Sequence, residues 1–181
     1  DRRFFGGKYH RMKSKYRIRS AIESDLDRVG KIARQAWQAI HNSYRKIIGE
    51  GMHRDLYTNW EADKEAQVRH HWQDRPDWFR TVESVETGRV VGFITFRIDS
   101  VKSMGTIGNN AVALEAQGEG IGTMMYNYVL DLFQKRGLKY ASVTTGLDEG
   151  HAPARSAYEK AGFDIARPDV TYYKYLDESV D

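Results

Sequence analysis

Apolar and polar residues alternate along this chain in two distinct periods, which divide it into strand-like and helix-like stretches. Residues 15–22 (KYRIRSAI) repeat with period two, as a half-buried strand does. Ser24 then offers a helix cap, with Asp25 and Asp27 in the first turn where carboxylates suit the helix dipole. Leu26, Val29, Ile32, Ala33, Ala36, Trp37 and Ile40 follow at spacings of three and four, which predicts an amphipathic helix. Residues 42–58 read as helical or loop-like, broken at Gly49 and Gly51, and residues 61–73 as a further helix stopped before Pro76.

From Trp78 the period changes. Residues 78–86 and 89–98 predict two antiparallel strands joined at Thr87-Gly88, and residues 106–114 predict a third. The stripe Ile121, Met124, Met125, Tyr128, Val129, Leu132, Phe133 predicts a long helix with Gly137 as its stop. A short strand over 140–145, a helix from Pro153 to Ala161 with Gly162 behind it, and an aromatic closing strand over 170–176 complete the order. The expected fold is α/β of the α+β kind: a mixed, largely antiparallel central sheet of six to seven strands flanked by helices.

Composition narrows the function. The 181 residues suit one hydrophobic core. A net charge of +3 hides an asymmetry: residues 1–19 hold eight Lys/Arg against the single acid Asp1, so the remainder is net acidic. Basic arms bind nucleic acid or membranes, but a short charged terminus is ordinarily just solvated, and an acidic body argues against a nucleic-acid-binding domain. Residues 1–14 are therefore expected to be a basic extension, with Met12 as a candidate native start, ahead of one domain over residues 15–177. No run nears the roughly 18 apolar residues of a membrane span, and no secretory h-region is visible. The absence of cysteine excludes disulfides, thiolate nucleophiles and Cys-based metal sites. His70 and His71 are adjacent rather than spaced to share one helix face, so no metal is expected. A cytoplasmic protein is the expectation that fits these features.

Chemistry gathers at Gln117-Gly118-Glu119-Gly120-Ile121-Gly122, directly ahead of the long helix. A helix start leaves about four backbone N–H groups without intrahelical partners and carries roughly half a positive charge. Glycines there let an anionic group come close, so the turn reads as a phosphate cradle. The competing reading is close packing of helix and strand with no ligand. A P-loop lysine is missing, since Thr123 and Met124 follow Gly122, and the preceding strands are antiparallel rather than the parallel unit of a dinucleotide fold.

Gln117-x-x-Gly120-x-Gly122 resembles the Q/R-x-x-G-x-G/A signature of the GNAT superfamily of acyl-CoA-dependent N-acyltransferases. Downstream, the run from Ala154 through Tyr158 to Gly162-Phe163 is similar to that family's A-x-x-x-Y-x-x-x-G-F element. The resemblance implies acetyl transfer from acetyl-CoA to a primary amine by direct attack in a ternary complex. It also implies a pyrophosphate site on the backbone of Gln117, Gly118, Glu119, Gly120, Ile121 and Gly122 with Thr123 beside them. Val112 and Ala113 would offer backbone hydrogen bonds to pantetheine and thioester, and Tyr158 would be the acid that protonates the thiolate. His151 stands where the family often has an asparagine that touches the coenzyme. No base is marked; Glu83, Glu86 and His41 are candidates by expected proximity to the acceptor side, together with a water chain. Trp37, Tyr44, Tyr57 and Trp60 fall where the acceptor pocket is expected. The expected partner is a small-molecule or peptide amine, without nucleic acid, membrane or metal, and with a homodimer left open. The alternative is a non-catalytic acyl-CoA-binding sensor or regulatory protein.

Overall fold

The computed structural model describes residues 14–176. The basic extension expected over residues 1–14 lies, apart from Ser14, outside the described residues. Five strands form one sheet in the order β1 (Tyr16–Ser20), β2 (Phe79–Ser84), β3 (Val90–Asp99), β4 (Met104–Val112) and β5 (Tyr140–Val143). The first four pair antiparallel and β5 joins β4 in parallel. The helices are α1 (Leu26–Ile48), α2 (Glu50–Leu56), α3 (Trp60–Asp74), α4 (Ile121–Lys135) and α5 (Ala152–Lys160).

Helices cover both faces, so the central strands read as continuous apolar runs rather than strict alternation. Successive residues of β3 serve opposite faces. Phe93 packs with Val29, Ile32, Ala33 and Val68 of α1 and α3, while Ile94 and Phe96 pack with Met125, Val129 and Phe133 of α4. Gly105 is part of this fit, because a Cβ there falls well inside contact distance of the buried Phe133 ring.

The helical stretch over 42–58 resolves into the end of α1 and a separate α2. Gly49, at φ +83°, makes the break, while Gly51 stays within α2. His41 of α1 stacks on Trp60, ring centroids 4.0 Å apart, and its Nδ1 lies 3.1 Å from Nε2 of His53. Tyr44 and Tyr57 close around the pair, which is buried.

Two sequence expectations are corrected. The sheet has five strands, not six to seven. The closing strand over 170–176 does not form, and among the described residues 163–176 adopt no regular element. Tyr172 is 91% exposed and Leu176 is 89% exposed. An alternating aromatic run records the propensity to be a strand, but a strand also needs a partner edge, and this segment has none.

Gly105→Ala is expected to cost about 1–3 kcal/mol by overpacking against Phe133, measured as a lowered denaturant midpoint at unchanged slope. Burial first, and then the neighbouring His53, lower the pKa of His41 from 6.5 to about 4. The unfolded chain therefore takes up a proton between those values that the native state refuses, so stability falls as pH drops from about 6.5 towards 4. His41→Phe should flatten that slope in pH-dependent urea unfolding; an unchanged slope would place the titration elsewhere.

Candidate active site

β4 and β5 run together only from Met104–Tyr140 to Ile107–Val143. Past Ile107 the edge of β4 that faced β5 is open, while its other edge stays paired with β3 as far as Val112. The parting coincides with a bulge, since Gly108 and Asn109 together lie opposite Thr95. Thr95 Oγ1 donates to the Asn109 carbonyl at 3.1 Å, and a Cβ on Gly108 would stand only 2.6 Å from that hydroxyl. Glycine is therefore the residue the bulge admits, and the extra residue bends the strand away from its neighbour. A cleft of about 1440 Å³ opens there, bordered by α1, α3, β4, the start of α4 and α5.

The glycine turn delivers the start of α4 to this cleft, with Gln117, Gly118, Gly120, Ile121, Gly122 and Thr123 along its wall. Gly118 and Gly120 both sit at φ +78°, a left-handed conformation that a side chain makes costly. Gly120 is the N-cap and no side chain caps the helix, so the first N–H groups of α4 keep no protein acceptor. Glu119 points elsewhere: its carboxylate meets Lys15 Nζ at 2.6 Å and the Tyr16 hydroxyl at 2.9 Å. That pair fastens the turn to β1.

The strand end departs from expectation at one residue. Ala113 N–H donates to Val91 O and its carbonyl accepts from Ala116 N–H, so its one donor is spent and its carbonyl keeps a single lone pair. Backbone directions alternate along an antiparallel strand, which leaves Asn110 and Val112 facing the gap. The Val112 carbonyl accepts a 3.3 Å bond from Gln117 Nε2. Thr145, just past β5, brings a buried hydroxyl without a hydrogen-bond partner to the same cleft.

Tyr158, on α5, lines the cleft and is 7% exposed. Its hydroxyl accepts a 3.0 Å bond from Asn110 Nδ2. Asn110 is held in that orientation because its Oδ1 accepts from the Tyr126 hydroxyl at 2.8 Å. With its oxygen lone pair engaged, the Tyr158 proton remains free to donate. Burial pushes the phenol above its ordinary value, against the opposing pull of the Asn110 and Tyr126 bonds. His151 also lines the cleft, its Nδ1 2.6 Å from Asp148 Oδ1. Burial, the largest single influence, works against ionisation of Asp148, but the bonds from His151 and Ser43 and the backbone together hold the carboxyl below its ordinary range. Nδ1 donation to that carboxylate leaves Nε2 for the cleft.

The candidate bases lie apart from this site. Glu83 is clamped by Arg17 and Arg19 at the β1–β2 side of the sheet, Glu86 sits in the β2–β3 turn, and His41 is enclosed by aromatic rings. Of the four aromatics placed at the acceptor pocket, Trp37 reaches the cleft, while Tyr44, Tyr57 and Trp60 pack around His41. Sequence reasoning missed Asn110, Tyr126 and Thr145. The one available signal was Gly-Asn-Asn inside a strand, a composition that strands avoid. Among the described residues no three His, Asp or Glu groups gather as a metal site would require, and no helix is long and apolar enough to cross a membrane.

Comparison with known proteins meets the same architecture. The model of the acetyltransferase (GNAT) family matches residues 37–163. Mycothiol acetyltransferase of Kytococcus sedentarius is 29% identical over 110 residues, which are 61% of this chain and 36% of that protein. The chain thus spans little more than a third of the length of that curated relative. Among solved structures, the PaiA N-acetyltransferase of Thermoplasma acidophilum in complex with coenzyme A matches with a TM-score of 0.67 at 17% identity. The match covers 86% of this chain and 94% of that one. Ard1 of Thermoplasma volcanium gives 0.63 at 20% identity, over 85% and 86% of the two chains. At such identities the likeness is one of fold. A family match over most of the chain, on a sheet that parts beside a glycine-led helix, means that this protein belongs to the acetyltransferase (GNAT) family.

Proposed function

We propose that this protein transfers the acetyl group of acetyl-CoA to a primary amine by direct attack. The observation that carries the reading is the Tyr126–Asn110–Tyr158 chain at the parting of β4 and β5, which presents a protonated phenol to the cleft. A sensor needs a coenzyme cradle but has no use for an oriented proton donor.

The residues present fit the coenzyme. Uncapped N–H groups at the start of α4 suit its pyrophosphate, with Gly118 and Gly120 letting the phosphates approach the backbone. The Val112 and Asn110 backbone, without a strand neighbour on this edge, suits an amide-bearing arm, and the Thr145 hydroxyl supplies a donor that lacks a protein partner. His151 Nε2 offers one further hydrogen bond from the opposite wall.

The thioester supplies an activated carbonyl whose leaving thiolate has an ordinary pKa of about 8.5. Such a group leaves without help, so the acid adds a moderate factor rather than an absolute requirement. Tyr158 gives its proton as the sulfur departs, and Asn110 keeps the phenol oxygen fixed while it does so. The amine gives up its own proton to solvent in the open cleft, since no carboxylate of the expected set reaches it.

A thiol-release assay with acetyl-CoA and a panel of primary amines tests the reading. Release that depends on amine is the expected result, and coenzyme binding with silence across the panel would overturn it. Tyr158→Phe should lower kcat by about a hundredfold, the lower end for general acid catalysis, with little change in KM for acetyl-CoA. Unchanged turnover in the folded variant removes Tyr158 from the mechanism. Gly120→Ala forces a side chain into a left-handed φ at a cost of about 1–2 kcal/mol, so KM for acetyl-CoA should rise roughly tenfold.

A further inference from the structure

Asn109 and Asn110 are consecutive on β4, yet their side chains serve opposite faces of the sheet. Asn110 turns to α4 and α5, where it holds Tyr158. Asn109 turns to α3, where its Oδ1 lies 3.2 Å from the amine of Lys64. A phenol and an amine therefore approach the same point of one strand from its two sides, at the bulge where β4 parts from β5.

Lys64 is unusual in what surrounds it. Its Nζ stands 3.9 Å from the centre of the Trp37 ring and donates to Gln67 Oε1 at 2.6 Å. Both hydrogen-bond partners are neutral amide oxygens, and among the described residues no carboxylate forms an ion pair with it. Trp37, Gln67 and Asn109 all line the cleft, so the amine sits directly behind its wall. Burial alone lowers its pKa from 10.5 to about 8. At neutral pH about a tenth of the molecules then carry the free amine, against fewer than one in a thousand for an ordinary lysine.

We infer that Lys64 is an internal acyl acceptor, a self-acylation site on the α3 side of the cleft; this rests on the transferase reading above. The Lys64 ammonium first loses a proton to water. Its nitrogen then attacks the thioester carbonyl carbon, the C–N bond forms, the C–S bond breaks, and the departing sulfur takes the Tyr158 proton. The second N–H proton of the attacking nitrogen leaves through water and restores the Tyr158 phenol. The products are an amide on Lys64 and free coenzyme A thiol. An amide does not pass its acyl group on, so the event occurs once per chain. It removes the cation from Trp37 and fills the approach that a free amine would use.

The test is incubation of the protein with acetyl-CoA alone, followed by intact mass and peptide mapping. Lys64 should gain one acetyl group at least tenfold faster than exposed lysines such as Lys46 and Lys102. Tyr158→Phe should slow that gain by about the same factor as it slows turnover on free amines, whereas adventitious chemical acetylation would ignore the substitution. Lys64→Arg should abolish the single addition. Amine-dependent thiol release with Lys64 no more acetylated than exposed lysines overturns the inference and leaves the transferase reading intact. Failure of transfer to every amine, Lys64 included, overturns both.

Discussion

The parting of two parallel strands governs everything else in this molecule. β5 accompanies β4 for four residue pairs, and the bulge at Gly108–Asn109 then turns β4 away. Parting leaves the backbone of Asn110 and Val112 without a ladder neighbour, which is costly inside a protein unless another partner arrives. The bulge is locked by two small details, the missing side chain of Gly108 and the Thr95 hydroxyl beneath it. A sheet that stayed paired to Val112 would bury those groups and close the cleft.

Once the strands part, each flanking element gains a role from its position at the opening. α4 begins at the mouth, so its uncapped donors face the cleft rather than bulk solvent. α5 places Tyr158 against the open edge, and the cross-sheet bond to Asn110 fixes the phenol oxygen there. On the other face α1 and α3 supply Trp37, Gln67 and Lys64. The Tyr158 phenol and the Lys64 amine are thus segregated by the strand itself, a division that suits the proposed acyl transfer, in which the nucleophile bonds to the carbon that the leaving group quits.

Much of the fold was legible because it is written in short-range pattern. The stripe of α1 and α4, the paired runs of β2 and β3, and the glycine stops all depend on residues within a turn or two of one another. The closing strand over 170–176 was misread for the complementary reason: its alternation is genuine, but pairing needs a second edge that local sequence does not contain. Tyr158 and the glycine turn were legible through their motifs. That the Ala113 N–H is held in the β3 ladder, through Val91, was not legible, because it is a register property.

By itself, then, the sequence determined the order of elements from β1 to α5, the glycine turn ahead of α4 and the presence of a tyrosine downstream of it. Those follow from backbone sterics and periodicity, which act between near neighbours. Only the tertiary structure decided that Asn110 holds Tyr158, that Asn109 meets Lys64, and that Glu83 and His41 are spent on arginines and aromatic rings. Apart from Tyr44, which neighbours His41 on α1, those contacts join residues twelve to sixty-six positions apart in the chain. They exist because packing on the two faces of the sheet, not local propensity, chooses which polar groups meet.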